Sequence, residues 1–101
     1  MRIIKVAPLK AFWEKYPDAE QSLRAWISEA RGADWQSPND VRATYANASI
    51  VGNERVVFNV RGNNYRLIVA ICYRTQIGLV KFIGTHAEYD AIDAETVSLD
   101  G

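Results

Sequence analysis

The 101-residue chain has room for one compact domain with its own core and not for two ordinary ones, so a single domain over residues 1–101 is expected. Its apolar content of 49%, with three Trp, five Tyr and three Phe, excludes a disordered chain. Twelve cationic residues balance twelve acidic ones, and this formal neutrality excludes a nucleic-acid binder that relies on bulk positive charge.

Residues 2 to 7, "RIIKVA", read as a first strand, and Pro8 suits the first turn of the helix that follows, where a missing N–H costs nothing. Leu9, Phe12, Trp13 and Tyr16 then fall on one helical stripe, which Pro17 ends. Asp18 is placed to cap a second helix in which Leu23, Trp26, Ile27 and Ala30 repeat the spacing, with Gly32 at its exit. Two such helices form a hairpin whose apolar stripes need a sheet to cover, so their aromatics read as core. Residues 33 to 49 mix Pro, Asn, Asp and Ser with Trp35, Val41 and Tyr45, and read as a loop with one short helical turn.

Three runs with strand character follow, Arg55 to Arg61, Tyr65 to Arg74 and Leu79 to Thr85, forming an antiparallel meander. Val56, Phe58 and Val60 share one face of the first, and Tyr65, Leu67, Val69 and Ile71 one face of the second. A two-residue turn at Asn63-Asn64 would pair Arg61 with Arg66 and Asn59 with Ile68. Two arginines facing each other cost stability unless an anion lies between them, so this pairing predicts an anion site. Both faces of the third run are largely apolar, which blurs its orientation. A turn at Thr75 to Gly78 nevertheless brings its far end, Thr85-His86, close to Arg66, with Lys81 further along. Residues His86 to Asp93 read as a short C-terminal helix, and the last residues are expected to fray. The fold class is therefore α+β: one N-terminal strand, a helical hairpin on an antiparallel sheet of about four strands, and a short C-terminal helix.

Charge is segregated along the chain. From Arg55 to Ala87 there are five cations (Arg55, Arg61, Arg66, Arg74, Lys81) and no acid, whereas Glu88 to Gly101 holds Glu88, Asp90, Asp93, Glu95 and Asp100 and no cation. Such blocks are equally compatible with a solvated surface. The only histidine, His86, lies where the basic block ends, close to Tyr89. Cleaving RNA without a metal needs a base for the 2'-hydroxyl proton, cations for the charge developing on phosphorus oxygens, and an acid for the leaving 5'-oxygen. His86 suits base or acid, Arg66 suits the phosphate because a guanidinium forks onto two oxygens, and Tyr89 suits stacking or proton donation. Each also has a plain structural reading: His86 as a surface residue, Arg61 and Arg66 as solvated edge residues, Lys81 as protection of a strand edge, Tyr89 as core, Asn59 as a solvated strand residue. One His, one Cys and scattered carboxylates give no metal-ligand spacing, so neither metal nor cofactor is expected. Cys72, inside an apolar strand, reads as a small buried hydrophobe. The longest apolar run, Leu67 to Tyr73, is too short to cross a bilayer, and a cytoplasmic protein with no membrane partner is expected.

The blocks "VVFNVRGNNYRLIVAICY" (56–73) and "VKFIGTHAEYD" (80–90) resemble the HigB toxins, a branch of the RelE-like toxins of bacterial toxin-antitoxin pairs, and the likeness runs from Ile3 to about Thr96. The resemblance implies a RelE-like fold and an mRNA interferase, an endoribonuclease that cuts translated messages on the ribosome and is neutralised by a helix-turn-helix HigA partner. It implies Arg66 as the residue gripping the scissile phosphate, His86 acting on the leaving group, and Tyr89 as a catalytic or stacking tyrosine. Asn59 stands where RelE itself has a lysine, which leaves the base unassigned, with Arg61 and Lys81 as substitutes for the lost charge. Arg55, Arg74 and Asn59 are expected RNA contacts. Two alternatives remain: a ParE-like toxin that inhibits DNA gyrase without nuclease residues, against which Arg66, His86 and Tyr89 argue, and a non-catalytic RNA- or partner-binding module.

Overall fold

The computed structural model describes residues 1–99; Asp100 of the acidic block, and with it the very end of the expected fraying, lies outside the described residues. The elements run in the order β1 (Arg2–Ile4), α1 (Ala7–Lys15), a 3-10 turn (Pro17–Ala19), α2 (Glu20–Gly32), α3 (Pro38–Thr44), β2 (Ser49–Val51), β3 (Arg55–Val60), β4 (Tyr65–Cys72), β5 (Ile77–Thr85) and α4 (His86–Asp90). The strands form one mixed sheet in the order β1-β5-β4-β3-β2, with β1 parallel to β5 and all other pairs antiparallel. No described helix is long and apolar enough to cross a membrane.

The helical hairpin forms as its stripes dictate. Pro8 occupies the first turn of α1, Leu9 and Trp13 are buried, and Phe12 and Tyr16 pack partly buried against the same core. In α2 the buried residues are Leu23, Trp26, Ile27 and Ala30. Both helices cover the sheet face carrying Val56, Phe58, Val60, Tyr65, Leu67, Val69 and Ile71, so hydrophobic burial ties hairpin to sheet. Phe58 is its centre, with ring centroids of Trp26 and Tyr45 each 5.3 Å away in edge contacts and Trp35 stacked at 6.3 Å.

Between hairpin and meander the chain is more ordered than its composition suggests. Pro38 starts a helix of 7 residues that buries Val41, and Ser49–Val51 pairs with β3 as an additional edge strand. The expected helical turn is thus this short helix, while the strand at Ser49–Val51 was missed because tertiary contacts, not propensity, hold so short an element. Asp18 does not cap α2, whose N-cap is Ala19 without a side-chain bond. It turns instead toward the sheet, where it accepts the Tyr65 hydroxyl at 2.5 Å.

The β3–β4 turn is longer than a two-residue hairpin. Val60 pairs with Tyr65 and Asn59 with Arg66, leaving a loop from Arg61 to Asn64. Arg61 (φ 49°) and Gly62 (φ 64°) take the left-handed conformations, not the two asparagines. The opposed Arg61–Arg66 pair, and the anion site inferred from it, are therefore not formed. The faces survive because the shift is by two residues, an even number on a pleated strand.

The strand β5 has the feature that its sequence conceals. Val69 pairs with Val80 but Ile68 pairs with Phe82, so Lys81 is the extra residue of a β-bulge. Before the bulge even-numbered residues face the helices, and after it odd-numbered ones do: Val80 is 1% exposed and Ile83 packs against the core. Phe82 and Gly84 are thereby placed on the open face with Arg66.

The C-terminal segment is pinned, not frayed, as far as Val97. Arg55, only 8% exposed, donates from Nη1 to the carbonyls of Ala94 (3.0 Å) and Val97 (2.6 Å), and Asn53 donates to the Glu95 carbonyl at 2.8 Å. The helix ends at Asp90, short of Asp93. Cys72 is only partly buried, at the sheet end away from His86, where a hydrogen bond with the Thr75 side chain lowers its thiol pKa.

Two outcomes follow from this packing. Phe58→Ala should lower unfolding free energy by about 3–5 kcal/mol, read from the urea midpoint, since it empties the aromatic cluster's centre. Arg55→Met should cost about 2 kcal/mol by removing charged donors from two carbonyls, and should raise protease cleavage within residues 93–97 while cleavage elsewhere is unchanged.

Candidate active site

The site lies where β4 begins, β5 ends and α4 starts. Arg66 stands on the open face opposite Asn59 on one side and Gly84 on the other. Its guanidinium is anchored through Nη1 to the carbonyls of Asn63 (2.9 Å) and Tyr65 (3.2 Å), and it lies 5.8 Å from the centre of the Tyr89 ring. The turn that holds Arg66 also holds His86, whose backbone N–H donates to the Asn64 carbonyl at 3.2 Å. Asn59 joins this turn by a long side-chain bond to Asn63 (3.4 Å).

The local sequence explains why α4 starts at His86. Thr85 is its N-cap: the hydroxyl accepts the Glu88 N–H at 3.1 Å while the Glu88 carboxylate accepts the Thr85 N–H at 2.8 Å, a complete capping box. The box fixes where His86 and Tyr89 leave the backbone. Four residues on from His86, Asp90 Oδ2 lies 3.0 Å from the imidazole Nδ1, and both side chains are exposed (54% and 61%). Position 84 has no room for a side chain, since a Cβ there would sit 2.6 Å from Phe82 Cζ and 3.1 Å from Glu88 Oε1. Glycine there lets the Phe82 ring fold across the strand directly opposite Arg66.

Of the expected site residues, Arg66, His86, Tyr89 and Asn59 converge. Arg61 sits in the adjoining turn but leans to the helical side, 3.5 Å from Asp18. Lys81 lies at the bulge, partway along β5 from His86. Arg55 is occupied by the C-terminal segment, four residues from Asn59 along β3. Arg74 follows the far end of β4, eight residues from Arg66, roughly 26 Å along an extended strand. Sequence reasoning missed Asp90, although its spacing from His86 within one helix was the signal. It also missed Phe82 with Gly84, which only the bulge puts on this face, and the Asn63 and Tyr65 carbonyls that hold Arg66. No group of three or more His, Cys, Asp or Glu among the described residues could hold a metal ion.

Beneath the site, Tyr65 and Asp18 join sheet and hairpin, and the bond to Asp18 is the main cause that raises the phenol pKa above its ordinary 10.0. Burial, then the hydroxyl's bond to Glu29, pushes Tyr45 further in the same direction.

The sheet order and the helical hairpin packed on one face agree with the RelE-like fold. A family model described as HigB_toxin, RelE-like toxic component of a toxin-antitoxin system, matches residues 19–92, and the chain belongs to this family. The chain is 32% identical over 94 residues to the mRNA interferase HigB of Escherichia coli O6:H1, covering 91% of each protein. It is 27% identical over 96 residues to the mRNA interferase toxin HigB of Escherichia coli K12, covering 93% of this chain and 92% of the relative.

The tyrosine pKa shifts set an alkaline limit on stability. A phenol held neutral in the fold but free to ionise when unfolded loses its contribution as pH rises past the ordinary value toward the raised one. The urea midpoint should therefore hold steady to about pH 10 and fall above it, and Tyr65→Phe should make that fall shallower while lowering the midpoint at neutral pH. An unchanged alkaline slope in Tyr65→Phe would remove Tyr65 from this account.

Proposed function

We propose that the chain acts as one toxin unit, a metal-independent endoribonuclease that cleaves translated mRNA on the ribosome by attack of a 2'-hydroxyl on the adjacent phosphate. The observation that carries this reading is the convergence at the Arg61–Asn64 turn, where Asn63 anchors Arg66, Asn64 anchors His86, and Tyr89 lies against the Arg66 guanidinium. Membership of a toxin family and two relatives named mRNA interferase support it.

In this reading Arg66 neutralises the charge that builds on the non-bridging oxygens, already oriented before substrate arrives. His86 and Tyr89 divide the two proton transfers. Asn59, beside Arg66 on the sheet, and Lys81, at the bulge, contact RNA, and Arg61, paired with Asp18, lies at the margin of the site. Arg55 is buried under the C-terminal segment and Arg74 remote, so both stand outside the RNA path. A net charge of zero gives little intrinsic affinity for RNA, and the ribosome supplies the missing affinity by presenting the message. An antitoxin of the HigA type neutralises the toxin in the cytoplasm.

The test maps new 5' ends of a reporter mRNA in a translating extract. Wild-type protein should cut within the reading frame only when ribosomes engage the message, and His86→Ala and Arg66→Ala should each slow cutting by about 100-fold or more. An intact message with wild-type protein would sink the nuclease reading and favour gyrase inhibition or simple binding.

A further inference from the structure

We propose that Asp90 is the positioning residue that makes His86 the general base, an assignment that rests on the nuclease reading above. His86 begins α4 and Asp90 ends it, so the i, i+4 spacing stands both side chains on one side of the turn, with Nδ1 and Oδ2 3.0 Å apart. The other acid of this helix has a separate task, because Glu88 is held in the capping box by both of its bonds with Thr85. An ionised carboxylate has no proton to give. The hydrogen between the two groups therefore belongs to Nδ1, and the neutral ring keeps its lone pair on Nε2. A neutral imidazole free in water mostly carries its proton on Nε2, so this contact reverses the default.

The pair is too exposed to matter much for stability, at 54% and 61%. What it controls is which nitrogen is basic and how the ring is aimed. In the cleavage step, Nε2 takes the proton of the 2'-hydroxyl as the 2'-oxygen bonds to phosphorus. The bond from phosphorus to the 5'-oxygen breaks with its electron pair on that oxygen, which takes the Tyr89 phenolic proton. His86 then returns its proton to Tyr89 through water, leaving a 2',3'-cyclic phosphate and a 5'-hydroxyl. Protons and charge balance, and Arg66 is unchanged at the end.

Because the chain has a single histidine, nitrogen NMR of histidine-labelled protein reads one site. With the ring neutral, the wild-type protein should show the Nδ1–H tautomer, and Asp90→Asn should shift it toward Nε2–H. In the translating extract the same variant should lower kcat at least ten-fold, a fraction of the roughly 100- to 10,000-fold that a general base supplies, with KM held within about two-fold. Asp90→Glu should recover much of the rate. A wild-type ring protonated on Nε2, or a kcat indifferent to Asp90→Asn in a protein that cuts, overturns the positioning role alone. Failure of the wild-type protein to cut overturns the nuclease reading and this role with it.

Discussion

The single extra residue in β5 governs the geometry of everything around the site. Val80 and Ile83 both face the helices, yet an odd spacing of three cannot put two residues of a regular strand on one side. The bulge at Lys81 absorbs the mismatch and keeps pairing intact on either side. Its consequence is felt on the other face. Gly84, and not a bulkier neighbour, stands opposite Arg66, and Thr85 arrives at the strand end opposite Tyr65 in the orientation that closes the capping box of α4. A regular β5 would exchange the faces of residues 82 to 85 and point the start of α4 away from the Arg66 turn. Core packing and site geometry are thus one constraint, enforced by Val80 and Ile83 from within.

This explains what could be read from the chain alone and what could not. The helical stripes of α1 and α2 were legible because burial on one face imposes a strict period, and Leu9, Trp13, Leu23, Trp26, Ile27 and Ala30 all obey it. The faces of β3 and β4 were legible for the same reason. Register was not: "VRGNNY" holds three residues that tolerate turns, Gly62, Asn63 and Asn64, and the choice between a two- and a four-residue loop depends on packing at its flanks. Val60 and Tyr65, at 4% and 7% exposed, both need the core, and pairing them directly settles the loop length. The bulge was invisible because "LVKFIG" is apolar on either assignment. The short elements α3 and β2 carry too few residues for any period to emerge.

The candidate site was legible in its chemistry and less so in its membership. The closeness of Arg66, His86 and Tyr89 was expected because they lie at strand and helix ends that the meander brings together, and the structure places them around one turn. Arg55 was misplaced for an instructive reason. A cation in an acid-free block looks free for RNA, but Arg55 is buried under the C-terminal segment whose carbonyls it binds, and burial of that kind leaves no trace in a charge count. Asp18 was misplaced by the opposite error, since a carboxylate before a helix suggests a cap until a tyrosine from across the fold offers a better proton.

Arg66 keeps its charge available despite bonds of its own. A guanidinium has five N–H donors in a rigid plane, and both backbone carbonyls are reached through Nη1. The anchoring carbonyls are uncharged, so they orient the plane without cancelling its positive charge, as an aspartate would. Tyr89, 5.8 Å away, presents a ring in place of a competing anion. Arg61, by contrast, faces the Asp18 carboxylate and is compensated there. Of the cations nearest the turn, Arg66 is the one held in place with its charge still available. That combination of orientation and uncompensated charge is what stabilising a developing phosphoryl charge requires.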